Sequence, residues 1–197
     1  GGDATGIAAA SARAGLFPLD VASPDSALLA TLAPAAYTAV ITDALGRGGN
    51  GLVEIYDLAA VDGGARLANL SARAVAGTED AALIAGFTVA GTAPKAVLIR
   101  GIGPSLAAFG VAGVLADPRL RVYREGSILA ENDNWSAVPA EAATLTSAAG
   151  KVGAFTLAAG SKDAAVILTL NPGAYTAQVF GSAGGTGTAL VEIYELP

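Results

Sequence analysis

The chain has 197 residues, 53% of them hydrophobic and 14% charged, with a net charge of −6. So much apolar surface with so little charge excludes intrinsic disorder. The acidic balance, with eleven Lys and Arg scattered singly, excludes the basic stripe of a nucleic-acid binder, and no apolar run reaches the ~18–20 residues that span a bilayer.

The chain has no His, no Cys and no Met. Disulfides, thiolate metal sites and the usual nucleophile–base pairs are therefore absent. No signal peptide is visible. The missing initiator fits a trimmed residue, a cleaved leader or a boundary within a longer chain.

In chain order, the first element is a short alanine-rich stretch over 6–14 that reads as a weak helix. Strands follow. Residues 27–32 form a short apolar run, Pro34-Ala35-Ala36 makes a turn, and 37–42 are rich in β-branched and aromatic residues. Gly-rich residues 46–51 lead into an alternating strand over 52–58. Further strands are predicted at 81–89 and 95–100. Residues 120–123 and 127–130 flank Arg124-Glu125-Gly126 as a hairpin. Short helices are predicted at 105–109 and 139–149.

The strongest pattern is a duplication. Residues 15–58 align with 153–196 without a gap at a constant offset of 138, with 21 identities in 44 positions. Phe17 matches Phe155, Asp25 matches Asp163 and Tyr37 matches Tyr175. Leu52-Val53-Glu54-Ile55-Tyr56 recurs as Leu190-Val191-Glu192-Ile193-Tyr194. The layout is B–A–B′, with B over about 1–58, A over about 59–138 and B′ over about 139–197. Through the offset Gly1 projects onto Pro139, as if the chain started partway through a repeat.

Strands joined by short turns predict an all-β chain, an antiparallel β-sandwich of immunoglobulin or jelly-roll type. Two arrangements fit the layout. In one, A and B′ make a single sandwich and the leading B keeps an unpaired edge and an open apolar face. In the other, which we favour from the sequence, 1–112 and 113–197 form two related sandwich domains.

Two resemblances follow from these residues. Leu120-Arg121-Val122-Tyr123, Ala130-Glu131-Asn132-Asp133-Asn134-Trp135, Leu170-Asn171-Pro172-Gly173-Ala174-Tyr175-Thr176 and Gly184-Gly185-Thr186-Gly187 resemble the bacterial pre-peptidase C-terminal domain, a secreted β-sandwich appended to exported enzymes and adhesins. The span 67–196 is also similar to a repeat of large exported surface proteins of environmental bacteria. That likeness rests on Arg66-Leu67-Ala68-Asn69-Leu70-Ser71, Val97 to Leu106 and the Val-Glu-Ile-Tyr ending. Together they imply a sandwich, export and a surface role, and no activity.

Each candidate for chemistry has a plainer reading beside it. Asn132, Asp133 and Asn134, with Glu131 before them and Asp163 joining, could offer oxygens to calcium. Alternatively, Asn and Asp bond their own backbone in a turn. Gly101-Ile102-Gly103-Pro104-Ser105 has the look of a phosphate loop, but Pro104 removes a donor, so a chain-redirecting turn is expected. Trp135 is the only Trp; it is read as a core cap rather than a sugar platform. Glu54 and Glu192 are read as solvent-facing positions of alternating strands. Ser161 and Lys162, being adjacent, would point apart on a strand. No cofactor is expected apart from calcium.

These readings favour a non-catalytic extracellular structural subunit that associates with itself into a filament or surface layer. The alternative is a secreted adhesin or a module binding carbohydrate or protein, with polysaccharide and calcium as partners.

Overall fold

Residue alternation decides most of the second half of the chain. The run from Val97 to Ile102 is apolar at every position but Arg100 and Gly101, which suits a strand covered on both faces. Here the computed structural model places β3 (Lys95–Ile102), with both faces buried. The structure describes residues 3–20, 22–58 and 67–197. By contacts the chain divides into two units, Gly1–Leu67 and Ala68–Pro197.

The second unit is a β-sandwich. Its strands are β1 (Asn69–Ala76), β2 (Leu83–Val89), β3, β4 (Pro118–Arg124), β5 (Ser127–Asn132), β6 (Ala164–Leu170), β7 (Gly173–Gly181) and β8 (Gly187–Glu195). They form two four-stranded antiparallel sheets, ordered β1-β8-β3-β6 and β2-β7-β4-β5. Between the sheets lies a core of Val97, Ile99, Leu120, Val122, Tyr175, Val179, Val191 and Ile193. The opposite face of β3 gives Leu98 and Ile102 to a second core, closed by Trp135 and by Leu145 and Ala149 of a helix numbered α2 (Pro139–Lys151). Pro139 occupies the first helical position, where its missing N–H costs nothing.

The expected hairpin is present. β4 and β5 pair across a turn in which Glu125 and Gly126 both take positive φ, 50° and 78°, as the right-handed twist of a two-residue hairpin requires. Among consecutive strands of the described residues this is the only pairing. Elsewhere the chain crosses between sheets or skips a neighbour, so short turns do not imply adjacent pairing in this sandwich.

Two expectations change as a result. The boundary between 112 and 113 does not hold. β1 and β3 lie in one sheet with β6 and β8, and β2 lies in the other with β4, β5 and β7, so both sheets need strands from either side of that point. The arrangement realised is the first of the two the layout allows, A with B′. The B–A junction after residue 58, and Arg66 of the Arg66–Ser71 piece, lie outside the described residues.

The second change concerns the duplicated segments, which share local structure but not sheets. In the first unit α1 (Ala4–Ala14) is the counterpart of the later part of α2 at the same offset. Both helices stop at a left-handed glycine, Gly15 and Gly153, each with φ of 71°. Equivalent capping bonds follow: Leu16 N–H donates to Ser11 O and Ala154 N–H to Ala149 O, both at 3.0 Å. Beyond the helix the copies diverge. Residues 153–196 supply β6, β7 and β8, whereas no strand forms among the described residues of 15–58.

The topology gives the reason. β6 pairs with β3 alone, β7 with β2 and β4, and β8 with β1 and β3. None of the three pairs with another of the three, so a B segment has no ladder of its own. Its apolar side chains stay in solvent accordingly. Ile41 and Ile55 are 60% and 53% exposed, whereas their counterparts Val179 and Ile193 are 0% and 6% exposed.

Candidate functional site

Two charged side chains interrupt the apolar runs of adjacent strands, and they meet. Arg100 on β3 is paired in register with Glu192 on β8, and both are buried. Arg100 Nε donates to Glu192 Oε2 at 2.8 Å, and Nη2 donates to the same oxygen. Arg100 Nη1 donates to Phe155 O at 2.6 Å, and the guanidinium lies 4.5 Å from the Phe155 ring centroid. Glu192 Oε1 accepts from Tyr194 Oη at 2.9 Å. Glu192 is thus not solvent-facing as its alternating strand suggested: α2 and the segment after it cover that face of the sheet. The available sequence signal was a lone cation and a lone anion inside otherwise apolar strands.

The second polar centre is Asp163, fully buried just ahead of β6. Oδ1 accepts from Gly103 N–H at 2.9 Å and Ser105 N–H at 3.3 Å; Oδ2 accepts from Ser105 Oγ and from Ser161 Oγ at 2.6 Å. The Gly101–Ser105 loop therefore does cradle an anion, namely the chain's own carboxylate, while redirecting the strand into a 3-10 helix (Pro104–Phe109). A side chain at position 103 has no room, since a Cβ there would sit 2.0 Å from Leu115 O.

Trp135 is a core residue, as expected, 6% exposed. Its Nε1 donates to Ala158 O at 3.2 Å and Ser161 Oγ at 3.1 Å, and its backbone N–H donates to Asp163 O at 2.8 Å. The void that Trp135 lines with Leu98, Arg100, Leu145 and Ala149 measures about 10 Å³, room for roughly one water.

The residues considered for calcium have other partners. Asp163 is engaged as above. Asn132 Oδ1 accepts from Ala165 N–H at 3.1 Å, and Asn134 Nδ2 donates to Asp133 Oδ1 at 3.1 Å. Glu131 is paired with Arg119 and Arg121, and the Arg121 guanidinium holds its carboxyl below the usual range. Among the described residues no group of three or more acidic side chains is placed to hold a metal ion. Ser161 and Lys162 lie in the loop before β6, not on a strand, and they serve different partners: Ser161 bonds Asp163, and Lys162 pairs with Asp117.

The 15–58 copy retains one half of each arrangement. Tyr56 Oη donates to Glu54 Oε1 at 3.0 Å, as Tyr194 does to Glu192. Ser23 Oγ donates to Asp25 Oδ2 at 2.8 Å, as Ser161 does to Asp163. Tyr37 Oη donates to Ala33 O at 2.9 Å, as Tyr175 does to Asn171 O at 2.7 Å. In B′ the other half comes from segment A: Arg100 for Glu192, and Gly103 N–H and Ser105 for Asp163.

Comparison with known proteins adds little. No family model matches the chain, and no curated protein is similar to it. Among solved structures it is similar to the pre-peptidase C-terminal domain of a collagenase from Bacillus anthracis. The identity is 12% and the TM-score 0.37, over 64% of this chain and 88% of that one. No activity or partner follows at that distance. No helix among the described residues is long and apolar enough to cross a membrane.

The Glu192 centre has a readable titration. Burial, reinforced by the Glu192 charge and the hydrogen bond to it, pushes the Tyr194 phenol up to about 12 from its ordinary 10.0. The folded state then holds this proton more tightly than the unfolded state does. Stability is expected to be intact below pH 10 and to fall as pH rises from about 10 towards 12. Urea unfolding across that window should show the loss, and Tyr194→Phe should flatten it.

Proposed function

We propose that the chain is a non-catalytic structural subunit, exported and joined to its neighbours in an extracellular filament or surface layer through β-sandwich contacts. The observation that supports this reading is the second strand set: residues 15–58 repeat three strands of the sandwich yet carry their apolar side chains in solvent. A segment of strand sequence outside any ladder, with exposed Leu, Val and Ile, invites pairing with another molecule. The inert composition agrees, since a chain without Cys, His or Met offers little to oxidise or coordinate. The polar centres agree as well, because their donors and acceptors are spent on each other rather than turned towards a substrate-sized cleft. Negative-stain microscopy of the full-length protein, native or purified, is expected to show regular fibres or sheets. Dispersed particles at every concentration would overturn the assembly reading.

A further inference from the structure

In the sandwich, β1 to β5 and the Gly101–Ser105 loop form a framework with three open places, which β6, β7 and β8 fill. The filling strands bond to the framework and never to one another. Residues 15–58 repeat the sequences of the three strands at the same spacing, and two bends are already set alike: the left-handed glycines at 15 and 46 match those at 153 and 184. The three side-chain bonds of Tyr37, Ser23 and Tyr56 are likewise set as in the filled copy. Glu54 therefore has one oxygen held by Tyr56, as Glu192 has one held by Tyr194, and presents the other where Glu192 receives an arginine.

We propose that residues 15–58 dock as the missing β6–β7–β8 set into an open framework of the 68–138 type carried by a neighbouring chain. This rests on the assembly reading only in taking 15–58 as the surface that a neighbour covers. The register follows from the offset. The 52–57 strand enters between the partner's equivalents of β1 and β3, with Ile55 opposite the position of Ile99. Residues 37–42 enter between the equivalents of β2 and β4, and 27–32 pair along the outer edge of β3. Glu54 takes the partner's arginine at the place of Arg100, and that arginine lies over Phe17 and Tyr56. Asp25 takes the two N–H groups and the serine of the partner's Gly-Ile-Gly-Pro-Ser loop. The framework of residues 68–138 is already filled by β6, β7 and β8 of residues 153–196, so the framework that takes 15–58 is an unfilled one on the partner.

The probe is a synthetic segment of residues 67–138, diluted from urea into the full-length protein. A 1:1 complex is expected by native mass spectrometry, with the amides of the segment's β1 and β3 protected from hydrogen exchange. Glu54→Ala should weaken uptake by about 30-fold or more, the usual effect of truncating one member of a buried ion pair. Val53→Asp with Ile55→Asp should abolish it. No uptake, or uptake indifferent to these changes, overturns the proposal. So does a full-length dimer that forms without the segment and is lost on Val53→Asp with Ile55→Asp, since a second copy would then be the occupant. Fibres without segment uptake overturn the slot and leave the assembly reading standing; uptake without fibres does the reverse.

Discussion

Glu192→Ala is expected to destabilise the sandwich by about 3–5 kcal/mol, whereas Glu54→Ala in the other copy should change stability by no more than about 0.5 kcal/mol. The two residues occupy the same place in the same five-residue sequence, and only their surroundings differ. Removing the Glu192 carboxylate strands the Arg100 guanidinium in the interior, where it is 1% exposed. Its remaining hydrogen bond, to Phe155 O, and the Phe155 ring cannot replace a carboxylate. Removing the Glu54 carboxylate frees only an exposed tyrosine hydroxyl, which water satisfies. Urea denaturation of both variants beside the parent measures the contrast. Arg100→Met with Glu192→Leu should recover much of the loss, because a buried pair replaced whole by apolar side chains leaves no orphaned charge. Equal costs for Glu192→Ala and Glu54→Ala would mean that the 15–58 copy already has a partner for its glutamate.

What the sequence made legible was local. The helix that ends at Gly15 and the Glu125-Gly126 turn depend on residues within a few positions of each other. The extension of α2 to Lys151 and the tyrosine that reaches back four residues to a carbonyl, at 37 and at 175, are equally local but appear only in the structure. The burial of Trp135 was legible too, because a single large aromatic is cheapest in a core. Pairing was not legible. β8 lies between β1, which starts 118 residues before it, and β3, and no short-range pattern distinguishes that arrangement from a hairpin with β7. β1 itself passed unpredicted: Asn69–Ala74 alternates, but three of the five apolar residues of Asn69–Ala76 are alanine, which strands disfavour. The polarity of Glu192 was misread for a related reason. Alternation along β8 correctly separates its two faces, but the second face is covered by α2 and the segment that follows it, which lie outside the strand's own sequence.

The duplication shows where these two kinds of information part. Residues 15–58 and 153–196 are nearly half identical, and everything their own residues determine recurs in both. The strand ladders, which need segment A, form in 153–196 and not among the described residues of 15–58. The strands therefore behave as conditional structure: extended segments whose ladders exist only when β1 to β4 lie beside them. This is ordinary for a β-strand, whose hydrogen bonds all leave the segment, and foreign to a helix, whose bonds all stay within it. It also explains why α1 forms with no buried residue while strands of proven β sequence do not.

Asp163→Ala should cost about as much as Glu192→Ala, on the order of 3–5 kcal/mol, and by a different route. The carboxylate has no cation partner among its contacts. It is held by Gly103 N–H, Ser105 N–H and the hydroxyls of Ser105 and Ser161. The hydroxyls can turn to other acceptors, but the two backbone donors cannot move, and each buried donor left unmet costs about 1–3 kcal/mol. The loop has no slack, because Gly103 already lies against Leu115 O. Trp135 reports the event directly. Its indole N–H shares Ser161 with Asp163, so the variant should show red-shifted tryptophan emission as well as a lower urea midpoint. Asp163→Asn keeps one acceptor oxygen but points an amide N–H₂ at donors, and should fall between parent and alanine. Asp25→Ala, the same change in the copy where Asp25 accepts from Ser23 alone among side chains, should leave both readings where they were. A large effect there in the isolated chain would show that residues 15–58 are already folded against a framework.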